Sequence, residues 1–564
     1  MSEAVLGEAV LGEAVLGEAV LGEAVLGHLM LAFRGRTVPA FLAARLAAAP
    51  VAGFTLFRHL NVRSPGQVLA LTEALQAGAR RRPGSDGLPI LIATDQEGGQ
   101  LLALGEGWTP FGGPMAIGAA GDAALAERIG RAIGRELRAV GVNVDFGPCL
   151  DVASNPANPS LGIRSFGDDP AAVAALGAAW LRGLQSAGVA ATVKHFPGKG
   201  QGSVDTHLDL AVVERSRAEL EAVELPPFRA AIVAGARMAM SGHLAIPSIT
   251  GSRTLPSTLA PQVMTGLLRD ELAFTGVSIT DALDMGALPQ DATQAVDVVA
   301  ALVAGVDLLL ATHRRASHRR IEAAIVRAAE LGVLDLDRLA ASQARIDALR
   351  GWIASFRAEP LAVVGCTDHR ALATELAERS ITLARDSDGL LPLDPGSGAQ
   401  IVVVEPRPFD LTPADTTSTL LPGGLAAALR GHHDGVDELV VGPEPAASEI
   451  AAVREAVMSA GLRAGSLAIV ATDAASFRPD QAELVRAVLA TGVPTVTVAL
   501  RTPFDLAAFP GAATYACTYG RLRPSLDALA AALFGRIPFR GHLPAAIPGL
   551  YPTGHGLRAG GGEA

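Results

Sequence analysis

The stretch Ala190-Ala191-Thr192-Val193-Lys194-His195, entering Phe196-Pro197-Gly198-Lys199-Gly200, contains in small the plan of the first 350 residues. It is a short apolar run that ends on an amine and an imidazole. The loop behind it is bent by Pro197 and freed by the glycines at 198, 200 and 202. The plan recurs on both sides. Gly53-Phe54-Thr55-Leu56-Phe57 is expected as a strand, with a helix from Ser64 to Arg80 behind it. Further strands are expected at Leu88 to Thr94, Val142 to Phe146, Met238 to Ser241, Val277 to Thr280 and Val306 to Leu310, most of them followed by helical patterns. Such alternation means parallel strands with covering helices. A run of about 325 residues suits a (β/α)8, TIM-type barrel with loop insertions. Asp95, Lys194 with His195, His243 and Asp281 stand where these strands end. On a barrel that is one face, and side chains from separate strands converge there.

Working outward, residues 28–352 are expected to form this barrel and 353–379 a linker. Residues 380–556 are expected as an α/β sandwich domain of the doubly wound kind. Its expected strands are Ile401 to Val404, Glu438 to Val441, Leu467 to Thr472, Thr495 to Leu500 and Thr514 to Cys517, with a helix from Pro479 to Thr491. No G-x-G-x-x-G follows any of them, so dinucleotide binding has no support. Residues 557–564 are expected as a tail. Within residues 1–27, five copies of Glu-Ala-Val-Leu-Gly run from 3 to 27. A period of five matches neither the helix nor the coiled-coil repeat, and this segment is expected to be a low-complexity extension without chemistry.

A net charge of -11 over 564 residues, with 49% hydrophobic residues, describes a packed globular chain, not a nucleic-acid-binding surface. The three cysteines, Cys149, Cys366 and Cys517, are far apart and in apolar sequence. They are expected as reduced, buried thiols, with no metal site and no cofactor. The apolar run Ala295 to Thr312 is interrupted by Asp297 and Asp307, so it is expected as a helix running into a strand. No basic segment followed by a long apolar stretch opens the chain, which makes a cytoplasmic location the expectation.

Among 46 basic residues only Lys194 and Lys199 are lysines, and both fall in the loop before Asp205-Thr206-His207. An amine kept where the composition otherwise prefers guanidinium points to a compact donor for a ligand hydroxyl. Gly198-Lys199-Gly200-Gln201-Gly202 only superficially resembles a phosphate loop, because no Lys-Ser/Thr ending or helix start follows.

Lys194-His195-Phe196-Pro197-Gly198-Lys199-Gly200 with Asp205-Thr206-His207 resembles the signature of the bacterial β-N-acetylhexosaminidases of glycoside hydrolase family 3. The resemblance extends to Asp95-Gln96-Glu97-Gly98-Gly99, to Gly162-Ile163-Arg164-Ser165-Phe166-Gly167 and to Ile279-Thr280-Asp281-Ala282-Leu283-Asp284-Met285. It continues into the second region at Glu378-Arg379-Ser380-Ile381-Thr382-Leu383, Leu390-Leu391-Pro392-Leu393 and Gly541-His542-Leu543-Pro544. It implies a retaining glycosidase that removes terminal β-linked N-acetylglucosamine from glycosides such as the muropeptides of cell-wall recycling. Asp281 is then the nucleophile, His207 the general acid and base, and Asp205 the group that orients that imidazole. Asp95, Arg164, Lys194 and His195 bind the sugar. Asp284 is the bland competitor for the nucleophile, and His243 is equally at home in a structural role.

The chain departs from the family pattern at Gln100 and Ala103, where arginines are usual, and at Lys199, where His or Asp is common and the lysine is taken as a tolerated variant. The first two put affinity and substrate choice in question. Two alternatives stay open: a phosphorylase on the same scaffold, and a sugar-binding protein with impaired catalysis. Expected partners are a small carbohydrate, no nucleic acid and no membrane, with the protein a monomer or homodimer.

Overall fold

In the computed structural model, which describes residues 25–291, 293–420 and 424–558, eight short parallel strands close into a ring. They are β1 (Leu29–Leu31), β2 (Gly53–Thr55), β3 (Leu91–Thr94), β4 (Val144–Asp145), β5 (Ala190–Phe196), β6 (Met238–Ser241), β7 (Val277–Thr280) and β8 (Leu309–Ala311). They stand in chain order, β8 pairs with β1, and a bridge from Ile279 to Leu308 completes the circle. Seven of these strands match the expected runs, shifted by a few residues. The first was not foreseen, because Leu29-Met30-Leu31 is too short to show any period. Of the repeat segment only Val25 onward lies within the described residues, and Val25 is buried in the core that leads into β1.

Successive residues of a strand point to opposite sides. Met30, Leu91, Ala93, Ala190, Val277 and Ile279 therefore fill the barrel, while Leu29, Leu31, Ile92 and Val193 pack outward under the helices. The helix Leu336–Ala354 sends Ile346, Leu349 and Ile353 into the inner cluster. Helix starts follow the local chemistry: Ser64, Asp122, Asp169 and Asp335 each accept a backbone N–H of the first turn. The helices Ala123–Ala139 and Pro170–Ser186 approach through glycine. A Cβ on Gly183 would lie 2.0 Å from the Glu127 carbonyl oxygen.

The second domain is a six-stranded sheet of β9 (Thr382–Asp386), β10 (Ile401–Pro406), β11 (Val436–Val441), β12 (Leu467–Thr472), β13 (Thr495–Ala499) and β14 (Thr514–Cys517). Its order is β11-β10-β12-β13-β14-β9, parallel except for β9, which runs antiparallel to β14 and was not foreseen. Residues 353–379, expected as a linker, contain most of the helix Thr367–Ser380, which is packed against the barrel. Leu372, Ala373 and Leu376 join the main core, and His369 meets Glu136 at 2.8 Å. No helix among the described residues is long and apolar enough to cross a membrane.

The barrel closes on one buried carboxylate. Asp307 Oδ2 accepts the Ser278 backbone N–H at 2.8 Å and an Arg269 N–H at 2.5 Å. Its Oδ1 accepts from Ser342 Oγ at 2.7 Å and Arg345 Nη2 at 2.6 Å, while His28 Nδ1 meets its backbone oxygen at 2.8 Å. The group thus joins β7, the approach to β1 and the helix Leu336–Ala354. Removing one side of a buried, hydrogen-bonded ion cluster leaves the remaining charges unpaired, at a cost of about 3–5 kcal/mol. Asp307→Ala is expected to lose that much in urea unfolding followed by circular dichroism, and a loss below about 1 kcal/mol would show that closure does not depend on it.

Asp145 of β4 is fully buried inside the barrel. Its Oδ1 accepts the Gln96 N–H at 2.8 Å, whereas Oδ2 has no partner among the described residues. Burial first, with Asp95 and Glu97 adding to it, pushes its carboxyl up to about 8. A folded value above the unfolded one leaves stability untouched below the ordinary range near 3.8 and erodes it as pH rises towards 8. Asparagine copies the neutral acid, so Asp145→Asn should raise the thermal midpoint more at pH 8 than at pH 5. Equal shifts at both pH values would mean that this carboxyl is not held protonated.

Candidate active site

Asp95 follows β3, Asp151 lies in the loop after β4, Lys194 and His195 end β5, His243 follows β6 and Asp281 follows β7. All of them stand at the C-terminal rim of the barrel. At the centre is Glu97, whose side chain is wholly buried. Arg164 grips it with two parallel hydrogen bonds, Nε to Oε2 at 2.9 Å and Nη2 to Oε1 at 2.8 Å. Lys194 Nζ lies 2.7 Å from Glu97 Oε1 and 2.6 Å from Asp95 Oδ1. Burial would raise the Glu97 carboxyl, but the two cations outweigh it and hold it at about 2. The same pairing, against burial, raises Lys194 above the ordinary lysine range. The result is a rigid fork of ionised donors and acceptors, with Asp95 its most open member.

His195 stacks a second layer on this fork. Its Nε2 is 3.4 Å from Arg164 Nη2, and its Nδ1 is 2.7 Å from Asp151 Oδ2. Asp151 Oδ1 accepts the Lys199 backbone N–H at 2.8 Å, so one carboxylate orients the imidazole and pins the loop behind it. Burial, then the field of Lys199, lowers His195 to about 4, leaving it neutral near pH 7. Cys149 Sγ donates to Asp151 Oδ2 at 3.3 Å. This thiol is buried as expected, against Ala153 and Leu161, but its sulfur also meets a carboxylate, while Cys366 is only half-buried.

Asp281 is half-buried, with Oδ1 accepting the Ala282 N–H at 2.8 Å. Burial alone would raise its carboxyl, but its coupling to His195, His243, Lys199 and His207 drives it well below the usual range. Lys199 is buried, and among the described residues its Nζ makes no hydrogen bond or ion pair. Burial and Arg164 lower it from the ordinary lysine range.

His207 sits on a half-open loop, its Nδ1 held 2.7 Å from Asp205 Oδ1. The same oxygen accepts the His207 backbone N–H at 3.0 Å. Nε2 makes no hydrogen bond among the described residues. Two backbone bonds, Gly286 N–H to the His207 oxygen at 3.0 Å and Ala287 N–H to the Thr206 oxygen at 3.2 Å, lash this loop to the one that carries Asp281. Gly286 is required there, because a Cβ would come within 2.7 Å of the His207 oxygen.

Every residue expected to bind or react is thus at this rim. Two buried neighbours that hold these groups, Glu97 and Asp151, were not named as site residues from the sequence. Glu97 was quoted only within its motif, and Asp151 shows no local sign that it will face His195, 44 positions away. His243 bonds Thr258 Oγ1 at 2.9 Å and the Ala282 oxygen at 3.2 Å, buttressing the segment after Asp281. Asp284 is engaged with the Thr312 hydroxyl. Lys199, taken as a tolerated variant, lies inside the site.

The model of the glycosyl hydrolase family 3 N-terminal domain matches residues 32–349. β-Hexosaminidase A of Pseudoalteromonas piscicida is 37% identical over 396 residues, which are 65% of this chain and 64% of that protein. A β-N-acetylglucosaminidase/β-glucosidase of Cellulomonas fimi is 32% identical over 81% of this chain and 83% of its own length. The solved family 3 β-N-acetylglucosaminidase of Paenibacillus sp. str. FPU-7 superposes with a TM-score of 0.86 at 35% identity, covering 93% of this chain and 99% of that one. With its barrel in strict chain order, the charged rim and these relatives, this chain belongs to glycosyl hydrolase family 3.

Proposed function

We propose that the protein is a retaining hydrolase of terminal β-linked N-acetylglucosamine, with Asp281 as nucleophile and the Asp205–His207 pair as acid and base. The observation that carries this is the pairing of an ionised, half-buried carboxylate with an imidazole whose outer nitrogen is free. The two are lashed together by the loop hydrogen bonds of Gly286 and Ala287. The relatives named for action on N-acetylhexosamines support the choice of sugar.

A retaining reaction takes two displacements. Asp281 attacks the anomeric carbon while His207 Nε2 gives its proton to the departing oxygen. The imidazole, now neutral, takes a proton from water as water displaces Asp281. An imidazole serves both steps because one ring nitrogen can give and take a proton while the other stays bonded to a carboxylate. Asp205 fixes the ring orientation and stabilises the protonated form. Asp95, Lys194, Arg164 and His195 supply the fixed donors and acceptors for the sugar hydroxyls of the ring in the first subsite.

One feature favours a second outcome of the same intermediate. The buried ammonium of Lys199, whose charge acts on Asp281, and an acid/base without a negative charge of its own, make the site tolerant of phosphate as the attacking group. Release of sugar 1-phosphate in phosphate buffer would distinguish that outcome from hydrolysis.

Asp281→Asn should lower kcat on an aryl N-acetyl-β-glucosaminide by roughly a thousandfold or more. A 5-fluoro glycosyl fluoride should label Asp281 in the wild type, seen by peptide mass spectrometry. His207→Gln should lose about 10²–10⁴-fold on substrates with poor leaving groups. Full activity of Asp281→Asn, or a label on Asp284 instead, would sink the assignment.

A further inference from the structure

The residues of the site follow β3 to β7, and the rim above β8, β1 and β2 carries none of them. That part of the rim is basic. Arg34 follows β1, Arg58 and His59 follow β2, and His313 and Arg314 follow β8. Asn61, fully buried, ties the first two loops together. Its amide donates to the Phe33 and Gly35 oxygens at 3.0 and 2.9 Å, and its oxygen accepts the Phe57 N–H at 3.0 Å. Arg34 Nη2 reaches His313 Nε2 at 2.9 Å, which joins the third loop to the first. Basic side chains from three separate loops thus form one arc.

Both ends of the arc are bonded to the site. At one end Thr94, beside Asp95, donates its hydroxyl to the Leu56 oxygen at 3.0 Å, two residues before Arg58. At the other end the Thr312 hydroxyl, beside His313, is bonded to Asp284. Asp284 stands between Asp281 and Gly286, whose N–H holds the His207 oxygen at 3.0 Å. One segment, 281–287, therefore carries the proposed nucleophile, braces the loop of the proposed acid and borders the arc. A group whose oxygen is protonated by His207 departs beside this segment, and the arc is the segment's other neighbour.

The arc holds more basic groups than its carboxylates can pair. Arg34 and Arg314 are exposed and form no ion pair among the described residues. The one side-chain hydrogen bond of Arg34 goes to an imidazole. Two carboxylates act on the cluster, Asp410 on Arg58 and Asp284 on His313. His59 has neither: burial first, then Arg34 and Arg58, lowers it from the ordinary histidine range. Burial and Arg34 also lower His313. Like charges gathered on a rim raise the local concentration of anions, and these side chains face water, where an anion can reach them.

We propose that this arc is a subsite for a carboxylate on the leaving group, with Arg34 and Arg314 as its main donors. The assignment rests on the N-acetylglucosaminidase reading of the main site and adds the charge of the aglycone that the enzyme prefers. Guanidinium suits the task, because its planar fork matches a carboxylate and it stays charged at every working pH.

Two substrates decide it: the β-N-acetylglucosaminides of 4-hydroxyphenylacetate and of 4-hydroxyphenylacetamide. Their phenolic leaving oxygens are alike and only the remote charge differs. Charges on a rim act mainly through the association rate and are screened by salt. At about 10 mM ionic strength the wild type should favour the acid at least about fivefold in kcat/KM. At about 1 M salt the two should agree within about twofold, because the screening length falls to about 3 Å. Arg34→Gln combined with Arg314→Gln should abolish the preference by lowering kcat/KM for the acid. Arg34→Glu combined with Arg314→Glu should reverse it. Both positions are exposed, so neither pair should lower the thermal midpoint by more than about 2 °C. Equal kcat/KM for acid and amide at low salt, or a preference that survives the loss of both arginines, overturns the subsite, while release of either phenol leaves the main reading standing. Release from neither substrate overturns the main reading and the subsite with it.

Discussion

The circle of eight strands depends on a carboxylate that never reaches solvent. Between β7 and β8 the backbone pairs at Ile279 and Leu308, and the Asp307 carboxylate adds donors from Ser278, from Arg269 and from Ser342 and Arg345 of the helix Leu336–Ala354. A strand ring must close to put its ends on one rim, and β7 is the strand from which Asp281 projects. The position of Asp281, the proposed nucleophile, is therefore set in part at the opposite end of the barrel. A buried ion cluster is not a strong source of net stability, but it is intolerant of alternatives, and that is what closure of a ring requires.

At the rim the same device recurs in a different service. Glu97 holds Arg164 and Lys194, Asp151 holds His195 and the Lys199 backbone, and Asp205 holds His207. In each case a buried carboxylate fixes a group at the rim. The cost of dehydrating these charges is met during folding, so their dipoles are already aligned when substrate binds. The coupling to His195, His243 and Lys199 holds the half-buried Asp281 carboxyl well below its usual range. Asp145, without a cation of its own, is pushed the other way and stays protonated near pH 7. Two aspartates on neighbouring parts of one barrel are thus separated in charge state by their partners alone.

The second domain is not an appendage to this arrangement. The helix Thr367–Ser380 joins the barrel core, Thr416 bonds the Gln100 backbone, and the carboxyl edge of the second sheet faces the loops that carry Glu97 and Arg164.

Much was legible along the chain. The alternation of apolar runs and helical patterns determined a parallel barrel and a doubly wound domain, because strand and helix periods are local properties. Polar residues at strand ends marked Asp95, Lys194, His195 and Asp281, and Asp205 lies close enough to His207 for their pairing to be read directly. Three-residue β1 and the antiparallel edge strand β9 were not legible, because neither carries a period of its own and each exists only by pairing with a distant partner. The same reason hid Asp151, the weight of Glu97 and the place of Lys199: an ion pair is a fact of distance through space. Residue types and their order thus determined the fold class and the chemistry available. Only the closed ring decided which carboxylates face cations and which face none, and so which are charged.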